Sequence, residues 1–90
     1  MLFRSHCFPA KSVVIGAVID GQPHAWPFTE LPRQQKFLTD HIENLEVRIE
    51  YDHATRAARI TDIQGVEIPS FTVYWFAWVA FHPDTHVWRN

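Results

Sequence analysis

One segment near the end of this 90-residue chain limits the possible folds more than any other. From Ser70 to His82 it reads SFTVYWFAWVAFH, with no charged residue before the closing histidine. Its length and its two alanines favour a helix, although its Val, Tyr, Trp and Phe residues are also typical of a strand. At about 100° per residue, one face of such a helix would carry Phe71, Tyr74, Trp75, Trp78, Phe81 and His82. Because this helix would be apolar all round, we predict that it packs on a sheet on one side and on something else on the other.

The first part of that sheet is predicted over residues 12–28. Ser12 to Ile19 is apolar on both faces and rich in β-branched residues, which indicates a central strand. Asp20-Gly21 is typical of the type I′ turn of a β-hairpin. Pro23 and Pro27 lack the N–H that a central ladder needs, so the returning limb is expected at a sheet edge.

A second hairpin is predicted over residues 45–63. From Leu45 to Asp52 apolar and polar residues alternate, which is the pattern of a half-buried strand. Residues 56–63 are expected to form its antiparallel partner, ending before Gly65. The residues predicted to face the core are Leu45, Val47, Ile49 and Tyr51. Residues Arg33 to Ile42 show no clear pattern, and their conformation is left open.

These elements define an α+β fold: a small antiparallel sheet of two hairpins, at about 12–28 and 45–63, packed with one aromatic-rich helix at about 70–82. Residues 1–90 are expected to form a single domain, with residues 1–11 as a mobile N-terminal arm. Hydrophobic residues make up 47% of the chain and aromatic residues 14%, which is a large amount for so small an interior. Some aromatic surface is therefore expected to meet a partner. The predicted binding or interface residues are Trp26, Tyr74, Trp75, Trp78 and Phe81.

Charge and cysteine content disfavour several functional classes. The formal net charge is −2 and basic residues are scattered, whereas nucleic-acid binding needs clustered Lys and Arg. Cys7 is the single cysteine, so no disulfide can form within the chain. With neither a signal peptide nor about 18 consecutive apolar residues, a cytoplasmic protein without a membrane partner is expected. A nucleophile at Cys7 beside His6 is disfavoured because no family signature surrounds it.

Two stretches carry a resemblance: GQPHAWPFTEL, from Gly21 to Leu31, and YWFAWVAFHPDTHVW, from Tyr74 to Trp88. They resemble an uncharacterised bacterial domain-of-unknown-function family with a G-x-x-x-A-[YW]-P segment and a C-terminal WFAW-x-x-FHP-[DE]-T segment. Both motifs occur here in the same order, whereas the central cysteine-containing stretch of longer members is absent. The resemblance implies a bacterial source and a shared fold, and it implies no reaction.

The sharpest constellation of polar residues follows the predicted helix. In an extended segment His82, Asp84 and His86 would project to one side, and two histidines with a carboxylate can bind a divalent metal. The competing interpretation is a helix end, with Pro83 as the breaker and Asp84 in a turn. No catalytic motif and no other cofactor site is found. The leading hypothesis is therefore a non-catalytic domain that self-associates or docks on a partner protein through an aromatic surface, and the alternative is a small-molecule-binding or metal-dependent enzyme site at these three residues.

Overall fold

A computed structural model describes residues 8–89, which form eight strands, one α-helix and one short 3-10 helix. The strands are β1 (Val13–Ile19), β2 (Gln22–Pro27), β3 (Phe37–Ile42), β4 (Leu45–Asp52), β5 (Ala57–Asp62), β6 (Glu67–Ile68), β7 (Phe71–Tyr74) and β8 (His86–Val87). The helix α1 spans Trp75–Phe81, and the 3-10 helix spans Phe28–Glu30.

The strands form two four-stranded sheets. Sheet A has the order β7-β1-β2-β8, and sheet B has the order β3-β4-β5-β6. Neighbours are antiparallel except β2 and β8, which are parallel. The α+β class and both hairpins are thus confirmed. The prediction of one sheet is wrong, because the hairpins belong to separate sheets that pack face to face.

The main core fills the space between the two sheets. Sheet A contributes Ile15, Ala17, Ile19 and Trp26, and the strands of sheet B contribute Leu38, Ile42, Val47, Ile49, Tyr51 and Ile60. The alternation in β4 has the predicted direction, since Val47, Ile49 and Tyr51 are buried while Leu45 is half-buried against the same core. Burial on one face only therefore sets the register of this strand.

The first hairpin also has the predicted turn. Asp20 and Gly21 have φ angles of 54° and 77°, which is the pair of positive values that a type I′ turn requires. The position of β2 differs from the expected sheet edge, because β8 pairs with it at His24 and Ala25. That pairing lies between Pro23 and Pro27, so neither proline has to donate to it.

A second core lies on the opposite face of sheet A, against α1. It contains Phe8, Val14, Ala25, Trp75 and Trp78. Gly16 of β1 makes this layer possible, since a Cβ atom there would lie 2.5 Å from the indole ring of Trp78. Sheet A is consequently covered on both faces around Gly16, as the apolar sequence of β1 predicts, whereas Val18 near the end of β1 is half exposed.

The prediction of one helix over 70–82 is wrong in its first third. Phe71–Tyr74 is strand β7, which pairs with β1 from Val13 to Gly16, and the helix begins at Trp75. The Trp75 N–H donates to Ser12 O at 2.7 Å, which continues the ladder one residue beyond the strand. Pairing with β1 satisfies backbone groups that a longer helix would have bonded internally, and it decides between two conformations that the residues favour almost equally.

The segment left open in the sequence contains β3, whose inward residues are Leu38, Asp40 and Ile42. The polar residue Asp40 interrupts an otherwise readable alternation. Its Oδ2 accepts a hydrogen bond of 3.0 Å from Trp26 Nε1, which links sheet B to sheet A. The side chain that hides the strand pattern therefore satisfies a buried indole N–H.

Part of the segment predicted as an N-terminal arm packs against the fold. Phe8 is buried edge-to-face against Trp75, with ring centroids 5.2 Å apart, and Ala10 O accepts the Phe76 N–H at 3.0 Å. Residues 1–7, which include His6 and Cys7, lie outside the described residues. Within residues 8–89, α1 is far too short to cross a bilayer and no longer apolar helix occurs.

Candidate functional site

Four exposed aromatic side chains lie on β7 and α1, which follow each other directly in the chain. Phe71, Tyr74, Phe76 and Phe81 are 61%, 47%, 53% and 81% exposed, and we call these four residues the aromatic edge. Tyr74 and Phe76 stack with ring centroids 5.9 Å apart and planes inclined by 21°. Solvent-exposed rings in contact with each other are a common feature of protein interaction surfaces.

Three of the predicted interface residues are not at the surface. Trp26 and Trp75 are each 1% exposed and Trp78 is 5% exposed, so all three belong to the protein's own core. This placement corrects their expected role, because a side chain already covered within the chain presents no area to a partner. The remaining predicted residues, Tyr74 and Phe81, do lie at the surface, where Phe71 and Phe76 join them.

A buried hydrogen bond holds the segment that follows α1 against the helix. Trp78 Nε1 donates to Thr85 Oγ1 at 2.8 Å in a buried hydrogen bond, and the His82 ring lies 4.3 Å from the Trp78 ring. Thr85 is fully buried. The His82 N–H donates to Trp78 O at 2.8 Å, so this residue ends the helix as the competing interpretation expected.

The structure does not assemble His82, Asp84 and His86 into a metal site. His82 lies against Trp78, whereas His86 stacks on His24 with centroids 4.9 Å apart. Within residues 8–89, no three His, Cys, Asp or Glu side chains are grouped so that they could hold a metal ion. The divalent-metal hypothesis at these residues therefore has no geometric basis.

The two sequence motifs meet at the β2–β8 end of sheet A, beside β3. His24 and Ala25 of the first motif pair with His86 and Val87, which follow the second, and the Trp88 N–H donates to Ala25 O at 2.9 Å. A groove of about 350 Å³, the histidine groove, is lined here by His24, His86, Asp40, Glu43 and Trp88 among others. Residues of the first motif and residues that follow the second thus pair at the β8 edge of sheet A.

The histidine groove contains a buried polar atom without a partner. His24 Nε2 has no hydrogen bond to any atom of residues 8–89. Burial lowers the pKa of His24 below 6.5, and the neighbouring His86 lowers it further, while Asp40 and Glu43 act in the opposite direction. The neutral imidazole is consequently favoured near neutral pH.

A third region, the basic groove, lies between the start of β1 and the loop joining β4 to β5. It measures about 340 Å³ and is lined by Lys11, Arg33, Arg56 and His53, with Phe28 and the hydroxyl-bearing residues Ser12 and Thr29. None of its described lining residues is acidic. Positive charge is therefore concentrated here on a chain whose net charge is −2.

Sequence reasoning missed the basic groove and half of the aromatic edge for different reasons. Lys11, Arg33 and Arg56 are far apart in sequence, and no local signal connects them. Phe71 and Phe76 were visible as aromatic residues, but the helical assignment placed Phe76 away from the predicted contact face. Assigning Phe71–Tyr74 as an edge strand would have identified this surface.

Comparison of the chain with protein-family models, curated proteins and solved structures found no match. The resemblance to the uncharacterised bacterial family stays a prediction. The function must therefore be inferred from the geometry of these three surfaces.

Proposed function

We propose that this protein is a self-associating domain, and that a second copy of the chain pairs with strand β7 along the aromatic edge. The observation that carries the proposal is an edge strand, free of charged residues, whose surroundings expose four large aromatic side chains. Edge strands normally carry charges, prolines or bulges that prevent pairing with another chain. The sequence FTVY contains none of these.

Two of the other edges, β6 and β3, are better protected. β6 has two residues, one of which is Glu67, and it leaves little backbone to pair. β3 carries His41, and the guanidinium of Arg48 covers the exposed ring of Phe37 at 3.8 Å. Only at β7 does an unpaired backbone coincide, within residues 8–89, with several uncovered rings.

The backbone geometry of β7 suits a two-fold pair. The Trp75 N–H points to Ser12 O, and amide directions alternate along a strand, so Thr72 and Tyr74 direct their N–H and C=O groups away from β1. An antiparallel copy centred on Val73 would place Thr72 of one subunit opposite Tyr74 of the other. Each of the two Thr72–Tyr74 pairs would then exchange both of its backbone hydrogen bonds.

The exposed area also agrees with a second copy as the occupant. At roughly 200 Å² per aromatic side chain, the exposed fractions of the four rings sum to about 500 Å² per subunit. Two such surfaces, with the strand backbone between them, approach the roughly 1,200 Å² at the lower end of specific interfaces. Because a two-fold axis brings identical patches together, the surface needs no complementary charge, and β7 offers none. A cytoplasmic location, as expected from the single cysteine, belongs to the same proposal.

The test is a measurement of the solution mass of the purified wild type and of two single variants at Tyr74. The wild type is expected to sediment at twice its 10.6 kDa mass at micromolar concentration. Tyr74 has φ −72° and ψ 147°, which proline adopts without strain, and its N–H points outward. Tyr74→Pro should therefore abolish the dimer and leave the circular dichroism spectrum of the subunit unchanged.

Tyr74→Phe is the matched control, since it keeps both the ring and the outward N–H, and it should remain dimeric. A wild-type monomer at several hundred micromolar, or a Tyr74→Pro variant that stays dimeric, would contradict the proposal. In the first case the aromatic edge would have to serve another partner, and in the second the interface would lie elsewhere.

A further inference from the structure

We propose that the basic groove binds a small ligand through a phosphate group. The proposal rests on Lys11, Arg33, Arg56 and His53, which line one groove with no acidic residue among its described walls. None of the described residues that line this groove belongs to β7.

Two other cations of the described chain are neutralised by a carboxylate. Arg48 and Arg59 both form ion pairs with Glu50, at 3.4 and 3.5 Å. No carboxylate of residues 8–89 forms such a pair with the three cations of the groove. Three like charges around one concavity repel each other, and a bound anion would relieve that repulsion.

The groove is held in shape by contacts that leave donors available. Arg56 Nε donates to His53 O at 3.2 Å, and its guanidinium lies 5.6 Å from the centroid of the Phe28 ring. The two terminal nitrogens of this guanidinium suit the oxygens of a phosphate.

The loop that carries Arg56 is fixed by its backbone. Arg56 has φ 60°, and its N–H donates to Asp52 O at 2.8 Å. The Asp52 carboxylate accepts the Ala54 N–H at 2.8 Å and so stabilises the turn. His53 is oriented by donation from Nε2 to Leu31 O at 3.0 Å, since a carbonyl can only accept.

The charge distribution favours a small ligand over a polyanion. Removing the three groove cations from the net charge of −2 leaves −5 on the rest of the chain. Such a surface repels a nucleic acid that extends beyond the groove, whereas a phosphate monoester or free phosphate meets only the positive walls. A dianion gains more from three cations than a single carboxylate does, which distinguishes phosphate from acetate.

The experiment is a titration of the full chain with inorganic phosphate, followed by the unfolding temperature and by NMR, at constant ionic strength set with chloride. We expect a saturable rise in unfolding temperature, because a ligand that binds only the folded state stabilises it. Acetate should bind at least about tenfold more weakly than phosphate.

Arg33→Gln and Lys11→Gln should each raise the phosphate dissociation constant about tenfold, the effect of losing one charge-assisted hydrogen bond. Arg59→Gln, on the outer face of sheet B, is the matched control and should leave that constant unchanged. In low salt and without phosphate, Arg33→Gln should raise the unfolding temperature, because it removes one of three mutually repelling charges. If Arg33 had only a structural role, the substitution would lower the unfolding temperature. If Arg33→Gln does not fold, Lys11→Gln gives the same comparison.

A response to phosphate no larger than that to chloride would overturn the proposal. The proposal would also be overturned if Arg59→Gln and Arg33→Gln weakened phosphate binding equally, since this would indicate general electrostatic attraction. Neither result depends on the solution mass, so failure here is distinguishable from failure of the pairing through β7.

Discussion

Sheets A and B satisfy the same requirement, a covered apolar face, in two different ways. Sheet B covers one face with sheet A and leaves the other to water, where Arg48, Glu50 and Arg59 form ion pairs. Sheet A is covered on both faces, by sheet B and by α1, so its apolar residues are not confined to one side. Apolar surface of this sheet remains at Val18 of β1 and at the β7 edge. The comparison shows that a sheet in a middle layer exposes less of its faces than a sheet with one solvated face.

The largest expected change in the free energy of unfolding tests whether sheet B has one buried and one solvated face. Ile49 is fully buried between the sheets, and Ile49→Ala should lower the free energy of unfolding by about 2–5 kcal/mol. Arg59→Ala, on the opposite face, should change it by less than about 0.5 kcal/mol. Urea unfolding of both variants measures the difference. Similar small values for the two would show that sheet B does not have one buried and one solvated face.

A second test concerns the two-sided character of sheet A. Gly16→Ala would place a methyl group against the Trp78 ring, and overpacking of this kind should cost about 1–3 kcal/mol. Trp78→Leu removes that ring, so Gly16→Ala should cost clearly less in the Trp78→Leu background. A double-mutant cycle of unfolding free energies measures the coupling. Additive effects would mean that α1 does not press on this face of the sheet.

The smallest expected effect is a pH-dependent change in the free energy of unfolding, and it concerns His24 at the β8 end of sheet A. Burial, with a contribution from His86, lowers the pKa of His24 in the folded protein below its ordinary 6.5. The unfolded chain therefore binds more protons just below pH 6.5, and stability falls as the pH drops through 6.5 toward the lower folded value. Asp40 and Glu43 oppose the shift and limit its size.

Unfolding free energies measured at about pH 7.5, 6.5 and 5.5 should show this loss in the wild type and less of it in His24→Gln. His41→Gln is the control, because His41 is largely exposed and pairs with Glu46 at 3.2 Å. Equal slopes for the wild type and His24→Gln would indicate that the stacked pair His24–His86 does not govern the acid response.

Prediction from sequence succeeded where one local pattern had one explanation. The alternation from Leu45 to Asp52 and the Asp20-Gly21 turn each restrict the backbone within a few residues, and both are confirmed. It failed where the reason lay in another strand. Asp40 breaks the pattern of β3 in order to meet Trp26, and Phe71–Tyr74 leaves the helix in order to pair with β1.

The candidate sites were less predictable than the fold. The aromatic content correctly indicated surplus apolar area, but the choice of Trp75 and Trp78 as surface residues was wrong because indole rings fill the layer above Gly16. The set His82, Asp84 and His86 looked like ligands only while the chain was treated as extended. In the folded chain His82 lies against Trp78 and His86 stacks on His24.

By itself, the sequence determined which stretches form hairpins, that the chain has more aromatic area than a small core needs, and where α1 must end. These properties depend on backbone preferences and on the polarity of neighbouring residues, which act over a few positions. Only the tertiary structure decided that the hairpins belong to opposing sheets, which rings stay outside, and that Lys11, Arg33 and Arg56 share a groove. Those outcomes depend on packing and charge between segments distant in sequence, for which a local pattern contains no signal.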